Sequence, residues 1–181
     1  MAELTTEAPL FDRCFAETVG EEGGFSADPD DPGNWTGGAV GVGACRGTKF
    51  GISAAAYPGL DIASLTLEDA KAIYARDYWA PIQGDTLPPA LAMLVFDAAV
   101  NDGIGTAARW LQAAVGVATD GMIGPTTLAA VAARTGELLA LCATFQAARL
   151  AALPDSPRFR AGWRLRICRV ALAAGSLLDA V

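Results

Sequence analysis

Residues 9–24 read PLFDRCFAETVGEEGG, and residues 25–51 read FSADPDDPGNWTGGAVGVGACRGTKFG. In the first stretch Leu10, Phe11, Cys14, Phe15, Thr18, Val19 and Glu22 recur at i, i+3, i+4 and i+7, the spacing of one helical face. Pro9 suits an opening turn, and Gly23-Gly24 suits a closing one. The reading is a first helix that ends on Glu22, on the same face as Phe15 and Val19. The second stretch holds seven Gly, two Pro and three Asp, which excludes a helix and predicts a long loop with a short hairpin.

Outward from that loop the pattern is helical. Thr66-x-x-Asp69 has the form of a capping box, and Leu67, Ala70, Ile73, Tyr74 and Asp77 continue a second helix. Pro88-Pro89 opens a third, with Leu91, Leu94, Val95 and Ala98 on its buried face and Asn101-Asp102-Gly103 at its close. Further helices are predicted at about 105–115, 125–134, 136–152 and 157–178, separated by Gly116, Asp120-Gly121, Gly124-Pro125 and Pro154. Abundant alanine favours all of them. No internal repeat or low-complexity linker is visible. The expected fold is mainly all-α, a single domain over 1–181. Its part at about 11–85 carries the Glu-Gly-Gly motif, and its part at about 86–178 is helical.

Composition narrows the chemistry. The chain has 181 residues, 52% of them hydrophobic, and a mean hydropathy of +0.33, enough for a packed core and unlike a disordered chain. Thirteen Lys+Arg against 20 Asp+Glu leave a net charge of −7, which argues against nucleic acid as a partner. Histidine is absent, which excludes Ser-His-Asp and Cys-His catalysis and His-ligated zinc. Cys14, Cys45, Cys142 and Cys168 show no CxxC spacing; Cys14 and Cys142 read as buried thiols, and a single disulfide is left open. The amino terminus lacks the basic and apolar regions of a secretory signal, and no run approaches the ~20 apolar residues of a membrane span.

Charge is uneven. Nine of the 20 acids lie in the first 31 residues, whereas Arg158, Arg160, Arg164, Arg166 and Arg169 form a basic cluster. That cluster reads either as a patch for an anionic polymer or as ordinary salt links. Glu22 reads either as a surface charge before the helix cap or as a carboxyl half against the core and half open to the loop, where desolvation disfavours the charged form and keeps it protonated. A glycosidase needs such an acid to protonate a leaving oxygen. Asp28, Asp30 and Asp31 supply a second carboxylate nearby, although Asp-Pro pairs also initiate turns. The segment lacks the Asp spacing and the Glu of an EF-hand, so calcium is not implied. Trp35, Tyr74, Tyr78, Trp79, Trp110 and Trp163 are aromatic faces suited to sugars; Trp35 lies in the loop as a cleft wall, and Trp110 and Trp163 follow helical core patterns. Lys49 suits either a substrate carboxylate or solvent.

These motifs taken together resemble glycoside hydrolase family 108, lysozyme-like N-acetylmuramidases of phages, prophages and secretion loci. The resemblance rests on Glu22-Gly23-Gly24-Phe25, Asp28-Pro29-Asp30-Asp31-Pro32-Gly33 and Thr48-Lys49-Phe50-Gly51-Ile52-Ser53. The segment NWTGGAVGVGACRG before Thr48 is longer than the family pattern. A looser likeness to phage lysozymes with a Glu-Asp-Thr triad places Asp31 and Thr48 with Glu22, while Asp28 and Asp30 compete with Asp31. Phe96-Asp97-x-x-Val100-Asn101-x-Gly103, Trp110-Leu111-Gln112 and Asp120-Gly121-x-Ile123-Gly124-Pro125-x-Thr127-Leu128 resemble the peptidoglycan-binding segment of the same proteins. A tight helix–helix corner also explains the last of these.

The resemblance implies cleavage of the MurNAc–GlcNAc bond of peptidoglycan, with Glu22, Asp31 and Thr48 catalytic. Phe25, Asp28, Trp35, Lys49 and Phe50 would bind the glycan. It implies no metal or organic cofactor, and peptidoglycan strands as the partner of a monomer. Two alternatives stand beside it: a lytic transglycosylase using the same Glu22, and a non-catalytic peptidoglycan-binding module. Without a signal or a span, the protein is expected to wait in the cytoplasm and reach the periplasm through a holin. The excess of Arg over Lys and the high Ala content point to a GC-rich genome and to a prophage or gene-transfer-agent lysin.

Overall fold

The computed structural model describes residues 9–20, 24–154 and 157–178. It is mainly helical, as expected. The helices are α1 (Leu10–Thr18), α2 (Leu67–Tyr74), α3 (Pro89–Asp102), α4 (Ile104–Val115), α5 (Pro125–Ala132), α6 (Leu138–Ala151) and α7 (Pro157–Gly175). Strands β1 (Thr48–Lys49) and β2 (Ile52–Ser53) pair antiparallel, Thr48 with Ser53 and Lys49 with Ile52. The described residues divide into two units, 9–18 with 75–178 and 19–74, so α1 groups with the carboxy-terminal helices. No single helix among the described residues is long and apolar enough to cross a membrane.

In the first unit α3 is the central element, packed by α1, α4, α6 and α7. Every residue from Ala90 to Ala99 is therefore buried, not only the face carrying Leu91, Leu94, Val95 and Ala98. Phe11, Trp79 and Phe96 pack edge-to-face at 5.5–5.9 Å, a favoured aromatic geometry, and Trp79 donates its indole N–H to Asp85 Oδ1 at 2.8 Å. Residues Ala75–Trp79 form a π-helical turn. Cys14 and Cys142 are buried as expected, and all four cysteines are free; burial pushes the Cys14 thiol up to about 12 and the Cys142 thiol up to about 11.

The one acid in the apolar run of α3, Asp97, is fully buried and is matched by charge. Arg149 of α6 donates Nη1 to Asp97 Oδ2 at 2.6 Å and Nε to Asp102 Oδ2 at 2.8 Å. Arg166 of α7 donates both Nε and Nη2 to Asp97 Oδ1, at 3.0 and 2.6 Å. Burial raises the Asp102 carboxyl above the ordinary range, and Arg149 opposes that rise.

Helix α1 is shorter than the periodicity implied. It ends at Thr18, and Gly20 takes φ +82, a left-handed conformation that glycine adopts without steric cost. The last carbonyls of α1 are claimed by α7: Arg166 Nη2 donates to the Thr18 carbonyl at 2.7 Å, and Arg169 Nη2 to the Glu17 carbonyl at 2.9 Å. The helical face carrying Phe15 thus stops before Val19, and Gly20 ends the helix in place of Gly23-Gly24. The apolar periodicity could not report a stop imposed by arginines from the far end of the chain. Arg166 and Arg169 are accordingly salt-linked, Arg169 to Glu17 at 2.8 Å.

The corner before α5 is built on one amide. Gln112 is buried; its Nε2 faces Asp120 Oδ1 at 2.6 Å, the Met122 carbonyl at 2.9 Å and Thr127 Oγ1 at 3.3 Å, and its Oε1 accepts from Gly121 N at 2.9 Å. Two protons serve three acceptors, so the Thr127 contact is the weakest. Gln112→Leu strands these partners and should cost about 2–3 kcal/mol, a melting temperature lower by roughly 5–10 °C in calorimetry. The Gln112 bond also holds the Asp120 carboxyl below its ordinary range. A lowered folded pKa gives stability that is complete above the unfolded carboxylate value and is lost as pH falls through the folded one. Gln112→Leu should therefore flatten the acid limb of the stability curve.

Candidate active site

The second unit carries most of the sequence-predicted site. Its small core is Ile52, Ala54, Ile62, Leu65, Ala70, Ile73 and Tyr74. The Thr66–Asp69 capping box opens α2: Thr66 Oγ1 and N donate to Asp69 Oδ2 at 2.6 and 3.0 Å, and Asp69 N donates to Thr66 Oγ1 at 3.1 Å. These bonds hold the Asp69 carboxyl below the usual range.

Glu22 lies outside the described residues, so the geometry begins at Gly24. Ser26 pairs with Thr48 through two backbone hydrogen bonds of 2.9 and 2.8 Å and adds an extended segment beside β1. The Phe25 ring covers Gly47 so closely that a Cβ there would sit 2.5 Å from the ring, which only glycine permits. The Asp-Pro segment then folds on itself. Asp28 Oδ1 accepts from Asp30 N at 3.0 Å, and Asp31 Oδ1 accepts from Gly33 N at 2.8 Å, capping the 3₁₀ turn Pro32–Asn34. Both aspartates therefore perform the turn chemistry open to them from sequence while their carboxylates stay exposed.

The residue that joins these parts is Asn34, fully buried and not singled out from the sequence. Its Nδ2 donates to the Asp28 carbonyl at 2.9 Å, and its Oδ1 accepts from Thr48 Oγ1 at 2.7 Å. The first bond fixes the amide orientation, because a carbonyl can only accept. The Asn34 carbonyl takes the backbone N–H groups of Arg46 and Gly47 at 2.8 and 3.1 Å. A polar residue directly after Asp-Pro-Gly was the available sign, but its burial depends on β1, fourteen residues on in the chain.

Trp35 is half-buried and donates its indole N–H to the Pro29 carbonyl at 2.9 Å. The lengthened segment after it returns as a hairpin, with Trp35 bridged to Cys45 and Thr36 N bonded to the Ala44 carbonyl at 3.0 Å. Lys49 donates Nζ to the Ala63 carbonyl at 3.1 Å and lies 5.6 Å from the Phe50 ring centre. Phe25, Asp28, Asp31, Trp35 and Thr48 thus share one bonded platform, and Lys49 and Phe50 stand on the β1–β2 turn.

Phe50 takes φ +50, a conformation that costs a residue with a Cβ about 1–2 kcal/mol. Tyr74 Oη donates to its carbonyl at 3.0 Å and holds that turn. Asparagine tolerates this region better. Phe50→Asn is expected to match or exceed the parent in thermal stability, by up to about 1 kcal/mol.

The family profile described as Glycosyl hydrolase 108 matches residues 15–103, and the one described as Predicted Peptidoglycan domain matches residues 106–167. The structure is similar to that of Brucella abortus SagA, at 31% identity and a TM-score of 0.70, covering 93% of this chain and 95% of that one. No curated protein sequence matches the chain. The chain belongs to glycosyl hydrolase family 108, and its second matched segment makes peptidoglycan its substrate.

Proposed function

We propose that this peptidoglycan hydrolase is an N-acetylmuramidase that cleaves the MurNAc–GlcNAc bond, with Glu22 as general acid. The observation that supports it best is the bond from Thr48 Oγ1 to Asn34 Oδ1. A threonine hydroxyl has one proton, and this bond uses it. The oxygen lone pairs are then left to accept a proton from a water, which orients that water's own lone pair for attack. The same Asn34 amide ties down the backbone of Asp28 and so the turn that carries the Asp28–Asp31 carboxylates.

Glu22 protonates the glycosidic oxygen as the bond to the anomeric carbon lengthens. A carboxylate of the cluster, Asp31 foremost and Asp28 or Asp30 beside it, stabilises the oxocarbenium-like charge or takes the water's proton. Phe25, Trp35 and Phe50 offer apolar faces to the sugar rings, and Lys49 and Asp28 offer polar contacts. On this reading Phe50→Asn raises KM severalfold although it does not destabilise the fold. The setting proposed is release of phage or gene-transfer-agent-like particles by a monomer delivered through a holin to the periplasm.

Mass spectrometry of fragments released from purified Gram-negative peptidoglycan tests the reading. Reducing-end muropeptides are expected. Anhydromuramyl ends would replace muramidase by lytic transglycosylase, and binding without cleavage would leave a binding module.

A further inference from the structure

Helix α7 is apolar on two opposite sides. Ile167, Val170 and Ala174 are buried in the first unit. On the other side Ala161, Leu165, Cys168, Leu172 and Gly175 recur at i, i+4, i+7, i+11 and i+14, the spacing of one helical face, and all five are exposed. Leu165 is 71% and Leu172 80% exposed, so most of each side chain stands in water. At 1.5 Å per residue this face is about 21 Å long. Arg164 and Arg169, both exposed, flank it on either side at about 100° of rotation per residue. The face continues onto α6. Gly175 also lines a cavity of about 200 Å³ between α3, α6 and α7, walled by Ala90, Leu94, Cys142 and Leu178. Leu139 of α6 lines the same cavity and is 67% exposed. Exposed apolar surface this continuous marks an interaction site, unlike leucines scattered singly.

Charge selects the partner. From Leu138 to Gly175 the chain carries six arginines and one acid, Asp155, in a protein of net charge −7. Neither α6 nor α7 contains an acidic residue. A second copy that met this face with its own would set arginine against arginine, with no carboxylate on either helix to offset them. An apolar strip between arginines is instead the pattern of a helix lying in the headgroup layer of a bilayer.

We propose that the outward face of α7, with Leu139 beside it, docks the protein on the surface of an anionic phospholipid bilayer. Leu165 and Leu172 enter the acyl boundary, and the cavity at Gly175 receives part of an acyl chain. Arg164 reaches the phosphates along its own aliphatic stem. Arg169, held to Glu17 through Nε and Nη2, adds less, because that carboxylate neutralises it in part. This docking goes beyond the reaction proposed above and does not rest on Glu22. It concentrates a peptidoglycan hydrolase at a membrane that borders its substrate.

Co-sedimentation of the full chain with vesicles of equal parts phosphatidylglycerol and phosphatidylcholine, against phosphatidylcholine alone, tests the proposal. Binding to the anionic vesicles is expected to be about fivefold or more tighter, and Arg164→Gln should remove most of that preference. Leu165→Gln with Leu172→Gln should weaken binding by about tenfold per leucine. Both positions face water, so the unfolding midpoint should stay that of the parent. In a Cys45→Ser background, Cys168 is the one exposed thiol. A nitrobenzoxadiazole label there should shift its emission to the blue on the anionic vesicles. Absence of binding, equal binding to both vesicles, an unshifted label, or binding that survives the double glutamine variant overturns the proposal. A parent that sediments as a dimer without vesicles, beside a monomeric double variant, overturns it in favour of a second copy of the chain.

Discussion

Glu22→Gln is expected to lower kcat on peptidoglycan by about 10²–10⁴-fold, the range removed with a general acid, while KM and the circular dichroism spectrum stay close to those of the parent. Glutamine keeps the volume and the hydrogen-bonding reach of the side chain and loses only the transferable proton. Without that proton the departing sugar must leave as an alkoxide, a far poorer leaving group. The second carboxylate can be located in the same assay. Asp28 and Asp31 each accept one backbone N–H through Oδ1. Asparagine serves such turns and caps as well as aspartate does, so Asp28→Asn and Asp31→Asn remove charge and leave the turns standing. The substitution that lowers kcat by a large factor identifies the group that stabilises the oxocarbenium charge or activates water. Retained activity in both, together with anhydro products, would assign the chemistry to the substrate's own hydroxyl.

Much of this was legible in local sequence, and what was not shares a physical cause. The Thr66–Asp69 cap, the Pro88-Pro89 opening of α3 and the Gly103 stop are decided within a few residues, and each stands where the pattern placed it. The hairpin between Trp35 and Cys45 was likewise signalled by its glycines. The end of α1 was not, because Arg166 and Arg169 that set it lie 148 and 152 residues away from the residues they hold. Asp97 was visible as one acid in LAMLVFDAAV, but its partners come from α6 and α7, and no spacing rule links them. The basic cluster at 158–169 read equally well as a patch or as salt links. Arg166 and Arg169 are turned toward α1 and α3, a direction that helical periodicity alone does not supply. Among the site residues, residue types and order marked the Asp-Pro turn and Thr48, whereas the amide of Asn34 that connects them emerged only with the strand pairing of Ser26 and Thr48.

Asp97→Ala should be the most destabilising single change in the first unit. The carboxylate has no exposure, Arg149 is 1% exposed, and the side chain of Arg166 is 26% exposed. Removing one member of a buried charge group leaves its partners uncompensated, which costs about 3–5 kcal/mol. Arg149 retains Asp102 at 2.8 Å, which shifts the loss toward about 3 kcal/mol, a melting temperature lower by roughly 6–12 °C. A loss under about 1 kcal/mol would show that the group relaxes into solvent and holds nothing. A quadruple variant, Asp97→Leu with Asp102→Asn, Arg149→Met and Arg166→Met, separates the cost of an uncompensated charge from the cost of losing the whole group. Replacing all members of a buried charge group by apolar side chains of similar volume is often neutral or stabilising, because the desolvation cost disappears with the charges. The quadruple variant should therefore unfold at or near the parent's denaturant midpoint.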